Sequence, residues 1–269
     1  MIKKEVSIMG ILSSIGLGNT KVNFKLNSNE LTPGSKVNAT LYIEGVSYEY
    51  YIENIFIKVI TKHTQIKSDT QHITSNIAAK AKHVIQNIEV PINETIKANQ
   101  SVEKNIEFVL DIETPITISK SEVWIEVCVE NSIFNKRYDV KVNPHPFSAK
   151  ILDSIEEIGF SIDKVYNDCF YGVKEGVPFV QWFVYTPNKE IREKFEQIRI
   201  AYLIEAEGVR LLVELDNMAK GIKGAVKTLL NVDAQEERMN ICFTKEEINM
   251  GKEYIKNKLI ESILSQTRI

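Results

Sequence analysis

The chain has 269 residues, 43% of them hydrophobic, and a formal net charge of -3 at pH 7. That length and apolar share fit one large or two ordinary domains with a sizeable core. The mild acidity gives no electrostatic footprint for nucleic acid. Three widely spaced cysteines, Cys128, Cys169 and Cys242, form no C-x-x-C pair, which argues for reduced thiols rather than a disulfide framework or zinc site.

The opening, "MIKKEVSIMGILSSIGLGNTK", has lysines before an apolar stretch. Glu5 interrupts the charged region and no A-x-A-type site follows, so a signal peptide is not expected. No run reaches the ~20 apolar residues of a membrane span. The expectation is a cytoplasmic protein with an apolar lead-in packed on the fold.

The first half alternates with period two: Val22–Phe24–Leu26, Val37–Ala39–Leu41–Ile43, Ile55–Ile57–Val59, Ile106–Phe108–Leu110, Val123–Ile125–Val127–Val129 and Val140–Val142. Such alternation buries one face and solvates the other, as in antiparallel sheets. Turn signals at Pro33-Gly34 and Pro115 separate the runs, which together predict a β-sandwich. Residues 75–86, "SNIAAKAKHVIQ", stay open between helix and strand, because alanines and lysines favour one and the surroundings the other.

The stretch "VNPHPFSAKILDSIEEIGFSI" at 142–162 reads as a seam. Pro144 and Pro146 forbid regular ladder pairing. Ile151, Leu152, Ile155 and Ile158 then share a helical face up to Gly159, predicting a helix over 149–158. Alternation resumes at Phe160–Ile162, Val180–Trp182–Val184, Ile198–Ile200–Tyr202–Ile204, Val213–Leu215 and Met239–Ile241–Phe243. The expected organisation is a sandwich over 1–145 and a second over 146–269. The second ends in a helix over 245–266, started by a Thr244–Glu247 capping box and striped by Ile248, Ile255, Leu259 and Ile263. That stripe predicts docking onto its own chain, with a homodimer contact through Leu259 as the alternative.

Motifs for chemistry are missing. The four histidines, His63, His72, His83 and His145, match no metal-ligand spacing. "GLGNTK" lacks the third glycine of a dinucleotide fingerprint, "GIKGAVKT" lacks Gly-Lys-Ser/Thr, and no G-x-S-x-G occurs. The acids are expected mostly at solvent-facing positions, and Cys128 and Cys242 as small hydrophobes within strands. No catalytic residue, cofactor or metal is expected. Residues 218–230, "MAKGIKGAVKTLL", set Lys220, Lys223 and Lys227 beside apolar positions. This is a covering loop-helix or a docking surface for an acidic partner or membrane headgroups.

The order of motifs resembles the SpoOM-type sporulation-control proteins. It is carried by "IGLGNTKVNFKLNSNELTPGSKVNATLYIEG", "SEVWIEVCVE", "YDVKVNPHPFSAKILDSIEEIGF", "VPFVQWFVYTP" and "LLVELDNMAKGIKGAVKTLLNVD", over roughly residues 10–243. The resemblance implies two arrestin-like sandwiches in tandem and a non-enzymatic regulator of sporulation. Such a protein would act through protein partners, not nucleic acid, with weak membrane-surface association as the alternative. Relatives tend to carry carboxylates where this chain has Trp182 and Val184, and arginines near 218–220. Asp216 and Lys220 are then a remnant pair, and Trp182 is expected beneath a covering element such as the C-terminal helix or a subunit.

Overall fold

Two strands run far longer than one sandwich needs, and they decide how the chain divides. The computed structural model describes residues 15–17, 20–68, 76–130, 135–170, 177–189, 197–216 and 238–265. Strand β5, Tyr50–Ser68, has 19 residues and β6, Asn76–Ile96, has 21. At about 3.3 Å per residue each spans roughly 60–70 Å, several times the usual strand length. Each therefore contributes to two compact units. The first unit holds Met1–Ile60, Val84–Asp111 and Val123–Lys141; the second holds Thr61–His83, Ile112–Glu122 and Val142–Ile269. The expected boundary between residues 145 and 146 is thus not a single cut, because Thr61–His83 and Ile112–Glu122 fall with the later residues. The open stretch 75–86 is strand from Asn76 onward.

In the first unit, β1 (Ile15–Leu17), β2 (Thr20–Leu26), β4 (Lys36–Gly45) and β7 (Ser101–Val109) form an antiparallel sheet in the order β1-β2-β4-β7. The two-residue β3 is Glu30–Leu31. A further layer pairs β8 (Val123–Val129) with β9 (Asn135–Asp139), Glu126 facing Arg137. Alternation predicted one wet face for β8, yet Trp124 and Glu126 are buried too. The Trp124 indole donates to Glu126 Oε1 at 2.7 Å and Asn135 donates to Oε2 at 2.7 Å. A buried carboxylate is tolerated when its oxygens are satisfied in this way.

In the second unit, β11 (Phe160–Cys169), β12 (Phe179–Pro187), β13 (Gln197–Glu205), β14 (Gly208–Asp216) and β15 (Arg238–Thr244) make an antiparallel meander. Strand β10, Lys141–Val142, is short. Helix α1 spans Pro146–Ile158 and starts three residues before the expected 149. Pro146, read as a ladder breaker, sits in its first turn, where a missing N–H costs nothing. Gly159 closes the helix at φ 114°, a left-handed position that suits glycine.

The single terminal helix expected over 245–266 is instead two, α2 (Lys245–Asn249) and α3 (Lys252–Ser265). Gly251 at φ 99° turns the chain between them. The Thr244–Glu247 capping box is present. Ile248, Ile255, Leu259 and Ile263 are all buried, in one cluster with Ile151 and Ile155 of α1 and with Phe183, Tyr185, Ile198, Ile200, Leu211 and Phe243 of the sheet. The helical stripe lies on its own unit.

Candidate functional site

Side chains of a strand alternate between faces, and β12 is apolar on both. Phe183 and Tyr185 belong to the helix-covered cluster, whereas Trp182, 2% exposed, joins Val180, Ala201 and Leu212, with Tyr166, Phe170 and Leu203 packed around them. Among the described residues, neighbours on the sheet rather than the C-terminal helix pack against Trp182. The Phe170 ring stands edge-on to Trp182 at 6.1 Å, and the Arg199 guanidinium carbon lies 4.7 Å from the Trp182 ring centroid. Arg199 forms an ion pair with Glu214 at 2.8 Å. Glu126 and Glu214, 8% and 6% exposed, are the buried exceptions among the described acids. Sequence reasoning also missed Arg199. Its pairing with Glu214 depends on strand register, so no local signal was available.

Asp216 ends β14 opposite Gln197. Lys220, Lys223 and Lys227 lie outside the described residues, as does the lead-in up to residue 14. Leu259 is fully buried. Cys128, Cys169 and Cys242 carry free thiols, but Cys242 is exposed rather than a core hydrophobe, since it points from β15 opposite to Ile241 and Phe243.

His63 and His83 come together, their ring centroids 6.2 Å apart and both against Phe179; His72 lies outside the described residues. Burial first, and the neighbouring His63 second, push the His83 pKa below its ordinary value. Among the described residues no group of three or more His, Cys, Asp or Glu converges to hold a metal.

Beside Phe179 a cavity of about 710 Å³ opens in the second unit, within the range of ligand pockets. Its apolar wall comes from Ile112, Pro115, Phe147, Phe179, Val180 and Leu203, and its polar groups from Glu113, Thr114, His145, Gln181, Glu205, Arg210 and Lys245. Much of that polarity holds the wall in place. His145 caps α1: its Nδ1 accepts from the Phe147 N–H at 3.2 Å, and burial lowers its pKa, keeping the accepting neutral ring. Glu205 pairs with Arg210 at 2.6 Å. Burial pushes the Tyr202 hydroxyl, at the wall, up to about 12.

Gln181 does what a backbone neighbour would do. Its Oε1 accepts from Ile116 N–H at 3.0 Å and its Nε2 donates to Ile116 O at 2.8 Å and Ser121 Oγ at 2.8 Å. Ser121 continues to Asn167, whose amide donates to Thr61 Oγ1 and Lys62 O, both at 3.0 Å. The network fastens segment 112–122 to β11 and β12 and so builds one side of the cavity. Sequence reasoning passed over Gln181, although a lone amide inside the apolar run Phe179–Tyr185 must find partners. The result is a largely apolar cleft whose shape is held by Gln181, His145 and the Glu205–Arg210 pair.

The described fold resembles the crystal structure of Spo0M, a sporulation control protein from Bacillus subtilis, at a TM-score of 0.77 and 22% identity, covering 94% of this chain and all of that one. The sporulation-control protein spo0M of Bacillus subtilis strain 168 is 25% identical over 260 residues, 95% of this chain and 96% of the relative. The model of the SpoOM protein family matches residues 8–219. Spanning most of the chain, that match places it in a family: the protein is a member of the SpoOM family.

Proposed function

We propose that the protein is a non-enzymatic regulator of sporulation, an arrestin-like adaptor that works in the cytoplasm through protein contacts. The observation that carries this reading is likeness to a sporulation-control protein across nearly the full length of both chains. Likeness over both units, rather than over one module, favours a shared role. The second unit's cleft supports the contact mechanism, because an apolar wall with fixed polar groups receives side chains of a partner. A membrane-surface role draws on residues 1–14 and 218–230, outside the described residues, so no structural observation favours it.

The test is deletion of the gene in its own host, scored by heat-resistant spore counts and complemented with the full chain. An altered count restored by the intact gene supports the reading, and unchanged sporulation overturns it. A complementing gene carrying Phe179→Asp, checked for wild-type protein levels, asks whether the cleft is used. Full complementation by that variant removes the cleft from the mechanism.

A further inference from the structure

The turn that leads from β4 of one sheet into β5 of another presents its aromatic side chains to solvent. Val46, Tyr48, Tyr50 and Tyr51 are 37%, 63%, 36% and 55% exposed. They are four of the eight exposed large hydrophobic residues among those described, gathered in six consecutive positions. Scattered apolar exposure needs no explanation, but a cluster marks an interaction surface. Ile52, the next residue, is 1% exposed, so the strand is anchored immediately behind the tip.

The start of this connection is braced rather than loose. Gly45 N–H donates to Gln100 O and Asn99 N–H donates to Gly45 O, both at 2.9 Å. A Cβ on Gly45 would lie 2.0 Å from Lys97 O, so only glycine allows that approach. The Gln100 side chain accepts from Lys97 N–H and donates to Glu94, again at 2.9 Å. Tyrosines on a braced loop offer large amphipathic contact area at small cost in side-chain entropy.

Charge identifies the occupant. Residues 42–54, "YIEGVSYEYYIEN", hold Glu44, Glu49 and Glu53 and no lysine or arginine, and all three carboxylates are exposed. Anionic lipid headgroups and nucleic acid are repelled by such a tip. A guanidinium is attracted twice, to a carboxylate by paired hydrogen bonds and to a tyrosine face by cation–π contact. We propose that the β4–β5 connection is a docking surface for an arginine-rich segment of a partner protein. The proposal rests on the adaptor reading in requiring a protein partner.

A fluorescein-labelled peptide of alternating arginine and glycine, titrated into the full-length protein and followed by anisotropy, tests the proposal without reference to sporulation. Saturable binding is expected, weakened about 10-fold or more by Tyr48→Ser/Tyr51→Ser and also by Glu49→Gln/Glu53→Gln, and falling as salt rises. These side chains are exposed, so unchanged melting temperatures should accompany the loss. Absence of saturable binding overturns the proposal, as does equal binding by wild type and both variants. Sedimentation with neutral phosphatidylcholine vesicles that the tyrosine variant abolishes, without peptide binding, makes the tip a membrane contact instead and overturns it too. None of these results bears on the spore count of the deletion strain, so the two readings fail separately.

Discussion

Arg199 Nη1 lies 2.8 Å from Glu214 Oε2 across the β13–β14 ladder, where the two residues are direct Cα partners. The Glu214 side chain is 6% exposed and that of Arg199 31%. Removing the cation takes an ion-pair partner from a buried carboxylate, which is the costly way to break a pair. Arg199→Met should lower stability by about 3 kcal/mol, the low end for such a loss because the arginine keeps partial solvent contact. Arg199→Met/Glu214→Leu should recover most of it. Urea unfolding with matched slopes measures both, and an Arg199→Met cost below about 0.5 kcal/mol, the range of ordinary surface changes, would show the pair to be unimportant.

Both tryptophans should be hidden from solvent. Trp124 is 0% and Trp182 2% exposed, and each has an arginine over its ring, Arg137 at 4.3 Å and Arg199 at 4.7 Å. The single-tryptophan proteins made by Trp124→Phe and Trp182→Phe should each resist acrylamide quenching until unfolded. Ready quenching of the remaining Trp182 in folded Trp124→Phe would contradict its packing against Val180, Ala201 and Leu212.

Gln181 offers a test of the cleft wall. Gln181→Leu preserves bulk but leaves the Ile116 N–H and C=O without their side-chain partners. A cost of about 1–3 kcal/mol is expected for orphaned buried groups. Faster amide exchange within residues 112–122 should accompany it. Loss of stability without faster exchange there would mean that Gln181 does not fasten the segment.

How much of this was legible depends on the range over which each signal acts. Capping at Thr244–Glu247, the Gly159 stop and the period-two strands are local, so they could be read directly. The 19 residues of β5 could not, because its length shows only when partners on two units hold it. Gly251 was missed because the apolar stripe continues in phase across it, from Ile248 to Ile255. Trp182 is buried as expected, but away from the C-terminal helix, since a strand apolar on both faces does not say which face meets the helices. Arg199–Glu214 and the Gln181 network join residues 15 and 65 positions apart, and no local pattern encodes such pairing.

The terminal helix should prove integral to the second unit. Leu259 is 0% exposed and packs in one cluster with α1 and the sheet. Leu259→Ala is expected to cost about 2–5 kcal/mol, the usual range for a buried leucine, and Leu259→Asp more. Sedimentation should give an unchanged mass before unfolding. A well-folded monomer produced from a wild-type dimer would instead assign Leu259 to a subunit contact.

Glu247 ties the same helices together and should set part of the acid sensitivity. Its two oxygens accept from Lys258 Nζ at 2.7 and 2.8 Å, and further donors are Thr244 N–H at 2.9 Å and Tyr254 O–H at 2.8 Å. Led by the Lys258 contact, these donors hold its pKa at about 2, against an ordinary value of 4.5. A carboxyl depressed in the folded state favours folding when ionised. Its contribution is therefore complete above pH ~4.5 and drains away as pH falls toward ~2. Glu247→Gln should melt below wild type at pH 7, and the gap should narrow steadily between pH ~4.5 and ~2. The Thr244 hydroxyl still accepts from the residue 247 N–H in that variant, so the capping turn itself survives. A gap of constant size across the whole range would mean that the charge of Glu247 contributes nothing, and that only its shape matters to the packing of α2 on α3.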